Sequence, residues 1–571
     1  MNKTAYLLAF ALTAALAGSG CKGDLNLSTG PTGGSQNNGG NNGGPTIDPF
    51  PDVPCEGIAC DDPVVQPTDG AVRLTHTQWE NSVRDLLKLD ARPELSRSFI
   101  KDTLNVGYFD RLSSSLNVQP DLWDDYREAA EVLAAQIVAN PDQLARLVPV
   151  GVQAPEAQLR AFLESFGLRA FRRPLTTEET DQYLALAAQA DTVFGITDAP
   201  FEKRAELILR AILQSPYFLY RVESTMPAAG QVAALSGYEK ASRLSFALWN
   251  SIPDEALLEA AKNGGLDTPE GVTTQAKRLL ADARSIDMVL DFHGQILEFS
   301  HFDEMTKDAE RFPDFNPNTA PAMREELESF ITHVIHDSNG GYRELITSRV
   351  TYVNAELAGL YGIEPPTEEF GEVTLPEGER SGLLTRLGFL ATNATPYDPN
   401  PIHRGKFINK HVLCNVVPPP PDMFSIPDGV AGNTNRERIQ NATGECGGSC
   451  HTPLLNPAGF AFESYDAVGK WRTMDGDYPV DTTGTLPFGN QLTEFTGALD
   501  LSAKIAESPN AHECYVRHWF EYLHQRVPTA GDAPLIAKVA QVSMKNDLPI
   551  HEIIVGLLVN DLFLKRASEA P

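Results

Sequence analysis

Cys446 and Cys450 are followed at once by His451, and nowhere else does the chain bring two sulfurs and an imidazole into one short segment. A thiol pair with histidine directly after it is how a chain fastens haem covalently. The sulfurs add to the vinyl groups, and the imidazole reaches the iron as proximal axial ligand. Gly447, Gly448 and Ser449 separate the cysteines, three residues where the usual spacing is two. Glycine lets a loop bulge without steric cost, so the extra residue is tolerable. The competing reading of the same residues is a Cys446–Cys450 disulfide, or a pair of reduced thiols, beside a merely polar His451.

Around this segment the chain reads as helix after helix, with no internal repeat. Thr75 and Gln78 spell a capping box, followed by Trp79, Val83, Leu86 and Leu87 on one helical face. A helix is expected over 120–139, with Leu122, Tyr126, Ala129, Val132, Leu133 and Ile137 inward. Pro155 opens another, Thr176 to Glu179 cap the next, and a third starts at Phe201. Ser236 and Glu239 form a further capping box, and helical spacing continues to Ile335. His333 and His336 lie i,i+3 on that last helix, either as metal ligands or on a solvated face. Residues 475–490 read as turns with a short hairpin, and the C-terminus is helical again.

The N-terminus speaks for export. Lys3 precedes an apolar run from Ala5 to Ala17 and then Gly18-Ser19-Gly20-Cys21. Such a run is too short to span a bilayer and has the layout of a signal segment. Small residues before Cys21 suit acylation of that thiol; plain cleavage after Ala17 is the competing reading. Residues 21–68, rich in Gly, Asn, Pro and Asp, are expected to form a disordered tether. With Cys21 lipidated, six cysteines remain, an even set for an oxidising compartment. The simplest grouping pairs Cys55 with Cys60 and Cys414 with Cys514. A formal net charge of −30 excludes nucleic acid as a partner and any basic membrane face.

Several segments together carry a resemblance: LTHTQWENSVRDLL, FGLRAFRRPLTTEE, ILRAILQSPYFLYRVE, ASRLSFALWNSIPDEALL, RSGLLTRLGFLATNA, HRGKF, CHTPLLNPAGFAFESYDAVGKWR and ECYVRHWFEYLHQR. In content and order, over roughly residues 72–566, the chain resembles a multidomain family of secreted proteins first noted in planctomycetes, with myxobacterial-looking members. The family's domains are largely of unknown function, and one is cytochrome-c-like. The resemblance implies secretion and haem c at Cys446, Cys450 and His451.

The expected architecture is mainly α, a multidomain helical array with a loop-rich cytochrome-c-like C-terminal module. The units are an export signal (1–20), the tether (21–68), helical domains at 69–150, 151–230 and 231–365, the cytochrome-c-like domain at 376–490, and a C-terminal helical domain at 491–571. If haem binds, Met474 or Met423 as second axial ligand would favour electron transfer, whereas His403 or His411 would lower the potential. Phe460, Phe462 and Tyr465 are expected in the core, with Glu463, Asp466 and Arg472 either a buried charge network or solvated. Walker-type phosphate loops, HExxH and nucleophile-elbow motifs are absent from the sequence. The leading functional expectation is one-electron transfer or haem-supported redox work at the cell envelope. The partner would be an envelope redox or structural protein, and membrane contact would come only through the lipid anchor. Outer membrane or cell surface is the expected location, otherwise periplasm or medium. The alternative is a disulfide-stapled, non-enzymatic surface lipoprotein that binds polysaccharide or an envelope protein.

Overall fold

The computed structural model describes residue 50 and residues 61–568, apart from 68–69, 103–106, 117, 152–153, 419–429 and 445–450. Cys21, Cys55, Cys60, Met423, Cys446 and Cys450 lie outside the described residues. What is described is mainly α, with helices linked by short loops and small two-stranded sheets. The capping boxes at Thr75, Thr176 and Ser236 are all formed. Each hydroxyl accepts the N–H three residues on, and the Gln or Glu there accepts from the cap's own N–H. Pro120–Ala139 buries Leu122, Tyr126, Ala129, Leu133 and Ile137, but Val132 is 43% exposed. The buried stripe is centred toward Ala130 and Ala134, which puts Val132 on the far flank. No helix among the described residues is long and apolar enough to cross a membrane.

Packing gathers the helices into two large hydrophobic cores. One spans residues 74–252 and is shared by the segments 69–150 and 151–230. The other takes in Phe109 and apolar side chains from Ala241 to Leu564. The helix Gly237–Trp249 serves both, giving Phe246 to the first and Leu244, Leu248 and Trp249 to the second. Between the cores the Arg111 guanidinium sits 3.8 Å above the Tyr522 ring and donates to the Phe246 carbonyl at 2.8 Å.

Strand pairing redraws two expected boundaries. Thr483–Phe488 pairs antiparallel with Gln491–Thr496, so a division at 490 would cut a hairpin at its turn. The backbone hydrogen bonds and the packing of Leu486 and Phe495 into one core hold both sides together. The tether also ends before residue 68. The Val64 N–H donates to the Gly531 carbonyl at 3.1 Å, Val65 packs on the C-terminal core, and Pro67 bridges Ala567. Two further sheets tie distant parts of the chain. Ala71–Arg73 pairs with Tyr220–Val222, and Val232–Ala234 pairs with Lys565–Ala567.

Three features fix the C-terminal half. The helix Pro401–Phe407 crosses Asn456–Phe460 with backbones in contact. A Cβ on Gly405 would strike the Leu455 carbonyl, and one on Gly459 the Pro401 carbonyl. Arg404, fully buried, donates to the carbonyls of Leu390, Phe462, Tyr465 and Asp466 at 2.9–3.2 Å. Cys414 and Cys514 are joined by a disulfide across 100 residues, with Cα atoms 5.4 Å apart.

Gly459→Ala should therefore overpack the helix crossing and destabilise the protein by about 1–3 kcal/mol, read from urea unfolding. Replacing both Cys414 and Cys514 by serine opens a loop of this length and should remove about 2–5 kcal/mol by the same measurement. An unchanged unfolding midpoint in either variant would contradict these assignments.

Candidate functional site

His451 opens a single wide turn, His451–Leu455, in which each backbone bond spans five residues. That geometry brings residue 456 back beneath residue 451. The Asn456 Oδ1 lies 3.3 Å from His451 Nδ1. Which way the Asn456 amide faces is decided by its other end. Its Nδ2 donates to Thr443 Oγ1 at 2.9 Å, and the Thr443 hydroxyl donates to the Ile439 carbonyl at 2.7 Å. Asn456 Oδ1 is thus an acceptor, His451 Nδ1 carries the proton, and the Nε2 lone pair is left for a ligand. Asn456 and Thr443 are both buried, so this chain of bonds is shielded from competing water.

The turn is fixed from outside as well. Asn409, fully buried, donates through Nδ2 to the Leu454 carbonyl at 2.9 Å and to the Gly405 carbonyl at 2.9 Å. The helix Asn435–Thr443, which supplies Thr443, is anchored by a buried charge network at its start. Glu463 is 2% exposed, accepts from Asn435 Nδ2 at 3.0 Å and pairs with Arg472 at 3.2 Å. Arg472 also reaches Asp475 at 2.9 Å. Burial raises the Glu463 carboxyl above its usual range, while the Arg472 and Arg404 guanidinium groups pull it back down. Phe460, Phe462 and Tyr465 are buried beneath, and Trp471 packs edge-on to Tyr465.

A cavity of about 900 Å³ opens against this turn. Thr452, Pro453 and Phe460 form one wall, Arg436 and Gln440 a second, and the hairpin with Leu492 and Phe495 the third. Its size lies in the upper part of the range of small-molecule and cofactor sites, about 300–1,000 Å³. Of the expected second ligands, Met474, His403 and His411 sit elsewhere, and Met423 lies outside the described residues. Met474 is 46% exposed on a two-residue strand and is not part of the cavity lining. His403 and His411 line a separate cavity of about 270 Å³ together with His301 and Lys406. His411 is held to about 3 by burial, so its ring is neutral.

His518 lies beside the Cys414–Cys514 bridge, one helical turn after Cys514. Its Nε2 is 3.1 Å from the His411 carbonyl, and burial lowers it to about 4. His333 meets the Tyr352 hydroxyl at 2.9 Å, and His336 packs against the His551 ring 4.8 Å away, so the expected pair faces two different neighbours.

Asn456, Thr443 and Asn409 had no sequence signal as site residues. The one trace is the five-residue step from His451 to Asn456, which an ordinary helix would not close.

Five family models match the chain, each described as a protein of unknown function. They are DUF1587 at residues 73–139, DUF1595 at 158–223, DUF1592 at 235–363, PSCyt3 (DUF1588) at 380–475, and DUF1585 at 492–563. No curated protein and no solved structure matches it.

His518 gives a pH prediction. With its folded value below the unfolded 6.5, the unfolded chain binds the extra proton between the two. The stability this group contributes is present above pH 6.5 and is lost as pH falls toward 4. His518→Gln should reduce the acid-side slope of stability by up to about 1.4 kcal/mol per pH unit. The wild-type imidazole should show no protonation by NMR from pH 8 to 5, and a midpoint near 6.5 would contradict its burial.

Proposed function

Because the chain belongs to the planctomycete cytochrome-c-like multidomain family with domains of unknown function, we propose that it is an exported cell-envelope protein carrying haem c for one-electron transfer or haem-supported redox work. Cys446 and Cys450 would hold the group through thioether sulfurs, and His451 would ligate its iron. One observation carries the reading: Asn456 Oδ1, its amide oriented by Thr443, accepts from His451 Nδ1–H and leaves Nε2 for a ligand. An acceptor on the far nitrogen is what fixes the ring and tautomer of a metal-bound histidine. A disulfide-stapled turn has no need of it.

The donor set fits. Two thiols and an imidazole are the attachment chemistry of a c-type haem, and a cavity of about 900 Å³ adjoins the turn. When bound, the iron would supply reversible one-electron exchange. The chain's own residues do the rest. Asn456 holds the imidazole orientation, Asn409 fixes the turn through the Leu454 carbonyl, and the Gly405–Gly459 crossing prevents the turn from lifting away. Arg436, stacked 4.5 Å over Phe460, is paired with Asp481 at 3.3 Å on the cavity wall, and a propionate-like carboxylate would have to share it with that partner. The signal-like N-terminus and Cys21 support delivery to the envelope on a lipid anchor.

The full chain, expressed in a bacterium with c-type haem maturation, should be recovered red from the membrane fraction. It should show a Soret band and keep haem through denaturing electrophoresis. Cys446→Ala or Cys450→Ala should weaken or abolish that retention. Asn456→Leu should keep the covalent group but loosen the iron–His451 bond, by roughly 10–100-fold in competition with added imidazole. Colourless protein whose 446–451 peptide carries a Cys446–Cys450 disulfide by mass spectrometry would defeat the proposal.

A further inference from the structure

A second cavity, of about 610 Å³, lies between the two hydrophobic cores, where the two ends of the described chain meet. Its walls come from Tyr220–Val222, Lys565–Ala567 and the end of the helix Pro509–His524. Four arginines line it: Arg221, Arg243, Arg526 and Arg566. Among the described lining residues Glu223 is the one carboxylate. That concentration stands out in a chain with 46 basic and 76 acidic side chains.

Three of the guanidinium groups are accounted for by neighbours. Arg243 holds Glu223 in a two-point fork at 2.6 and 2.8 Å, and Arg526 holds Asp532 the same way at 2.7 Å for both bonds. Arg566 donates to the Glu223 and Thr225 carbonyls at 3.2 and 3.1 Å. Arg221 differs. Its hydrogen-bond partner is the neutral Gln525 Oε1, its guanidinium lies 5.7 Å from the centre of the Phe246 ring, and no carboxylate among the described residues pairs with it. Glu223, the nearby carboxylate, is already engaged by Arg243. Burial and the neighbouring Arg111 and Arg243 lower Arg221 to about 9, although Glu223 works against them. A guanidinium removed from water without a counter-ion is costly, and an anion in the cavity would offset that cost. His524, held to about 3 by burial, is neutral and adds no charge of its own.

We propose that this cavity binds a small molecule bearing an oxyanion, a carboxylate, phosphate or sulfate, seated against the Arg221 fork. The planar guanidinium matches such groups with two parallel N–H bonds. The cavity is large enough for a ligand of monosaccharide size. The apolar side chains of Leu523, Leu562 and Phe563 on the same wall would cover the uncharged part. A field of net charge −30 repels anions in general, so retention of one here requires the local arginines. This site shares no lining residue with the cavity beside the His451–Leu455 turn and does not depend on haem.

Calorimetric titration of the full chain with sodium phosphate, sodium sulfate or sodium glucuronate tests it, each at constant ionic strength against sodium chloride. At least one oxyanion should bind saturably at one site per chain, and the preferred one tells a tetrahedral from a planar group. Arg221→Gln should weaken it by at least about tenfold. Arg221→Lys, which keeps the charge but loses the fork, should fall between. Arg97→Gln, on an exposed surface pair, should bind like wild type. Should Arg221→Gln fail to fold, hydrogen exchange on wild-type protein decides: the oxyanion should slow exchange at 220–223 and 565–568. No saturation beyond the chloride control, equal binding by a folded Arg221→Gln, or unchanged exchange at those strands would overturn the proposal and leave the arginines as structural ties.

Discussion

Arg404 carries a charge that has been taken fully out of water, and the order of the C-terminal half depends on how that charge is satisfied. Burial pushes it down to about 10, and desolvating such a group costs several kcal/mol. Four backbone carbonyls repay it, from Leu390, Phe462, Tyr465 and Asp466. Each hydrogen bond to a charged group is worth about 1.5–3 kcal/mol, so one or two would not suffice. Leu390 lies on one stretch of chain and the other three acceptors on the stretch 462–466, so these two must assemble together around Arg404. On that assembly rests the contact between Gly405 and Leu455, and through it the turn that carries His451.

The same device recurs through the protein. Arg172 collects the carbonyls of Tyr217, Phe218 and Tyr220, Arg380 those of Thr385 and Gly469, and Arg386 those of Ser348 and Val350. All three side chains are buried. A backbone interrupted by many short helices leaves terminal carbonyls inside the fold, and a forked cation can satisfy several at once. Drawing arginines inward also leaves the surface more acidic than composition alone suggests. Arg221 departs from this pattern, since its guanidinium faces a void and a neutral amide.

Much of the helical framework was legible in the chain. The capping boxes at Thr75, Thr176 and Ser236, and the apolar stripe of Pro120–Ala139, are local relationships within one or two turns, and neighbouring residues suffice to specify them. The misplaced Val132 marks the limit of that reading, because the centre of a stripe depends on what packs against it. The hairpin across residue 490 and the binding of residues 61–67 to the C-terminal core are pairings between segments whose own patterns are neutral. Helical spacing carries no record of which distant strand or helix a face will meet.

The divide runs through the candidate site itself. Sequence alone determined that two thiols and an imidazole stand together at 446–451, because covalent order is chemistry already in hand. It equally determined a helix-rich, strongly acidic chain. Tertiary structure decided which nitrogen of His451 is free, which partner holds it and which cavity its turn adjoins through Thr452 and Pro453. Those depend on a wide turn that folds Asn456 back under His451 and on a threonine from another helix. Such contacts exist only once the backbones of Pro401–Phe407 and Asn456–Phe460 have closed on each other, and glycine spacing by itself names no partner.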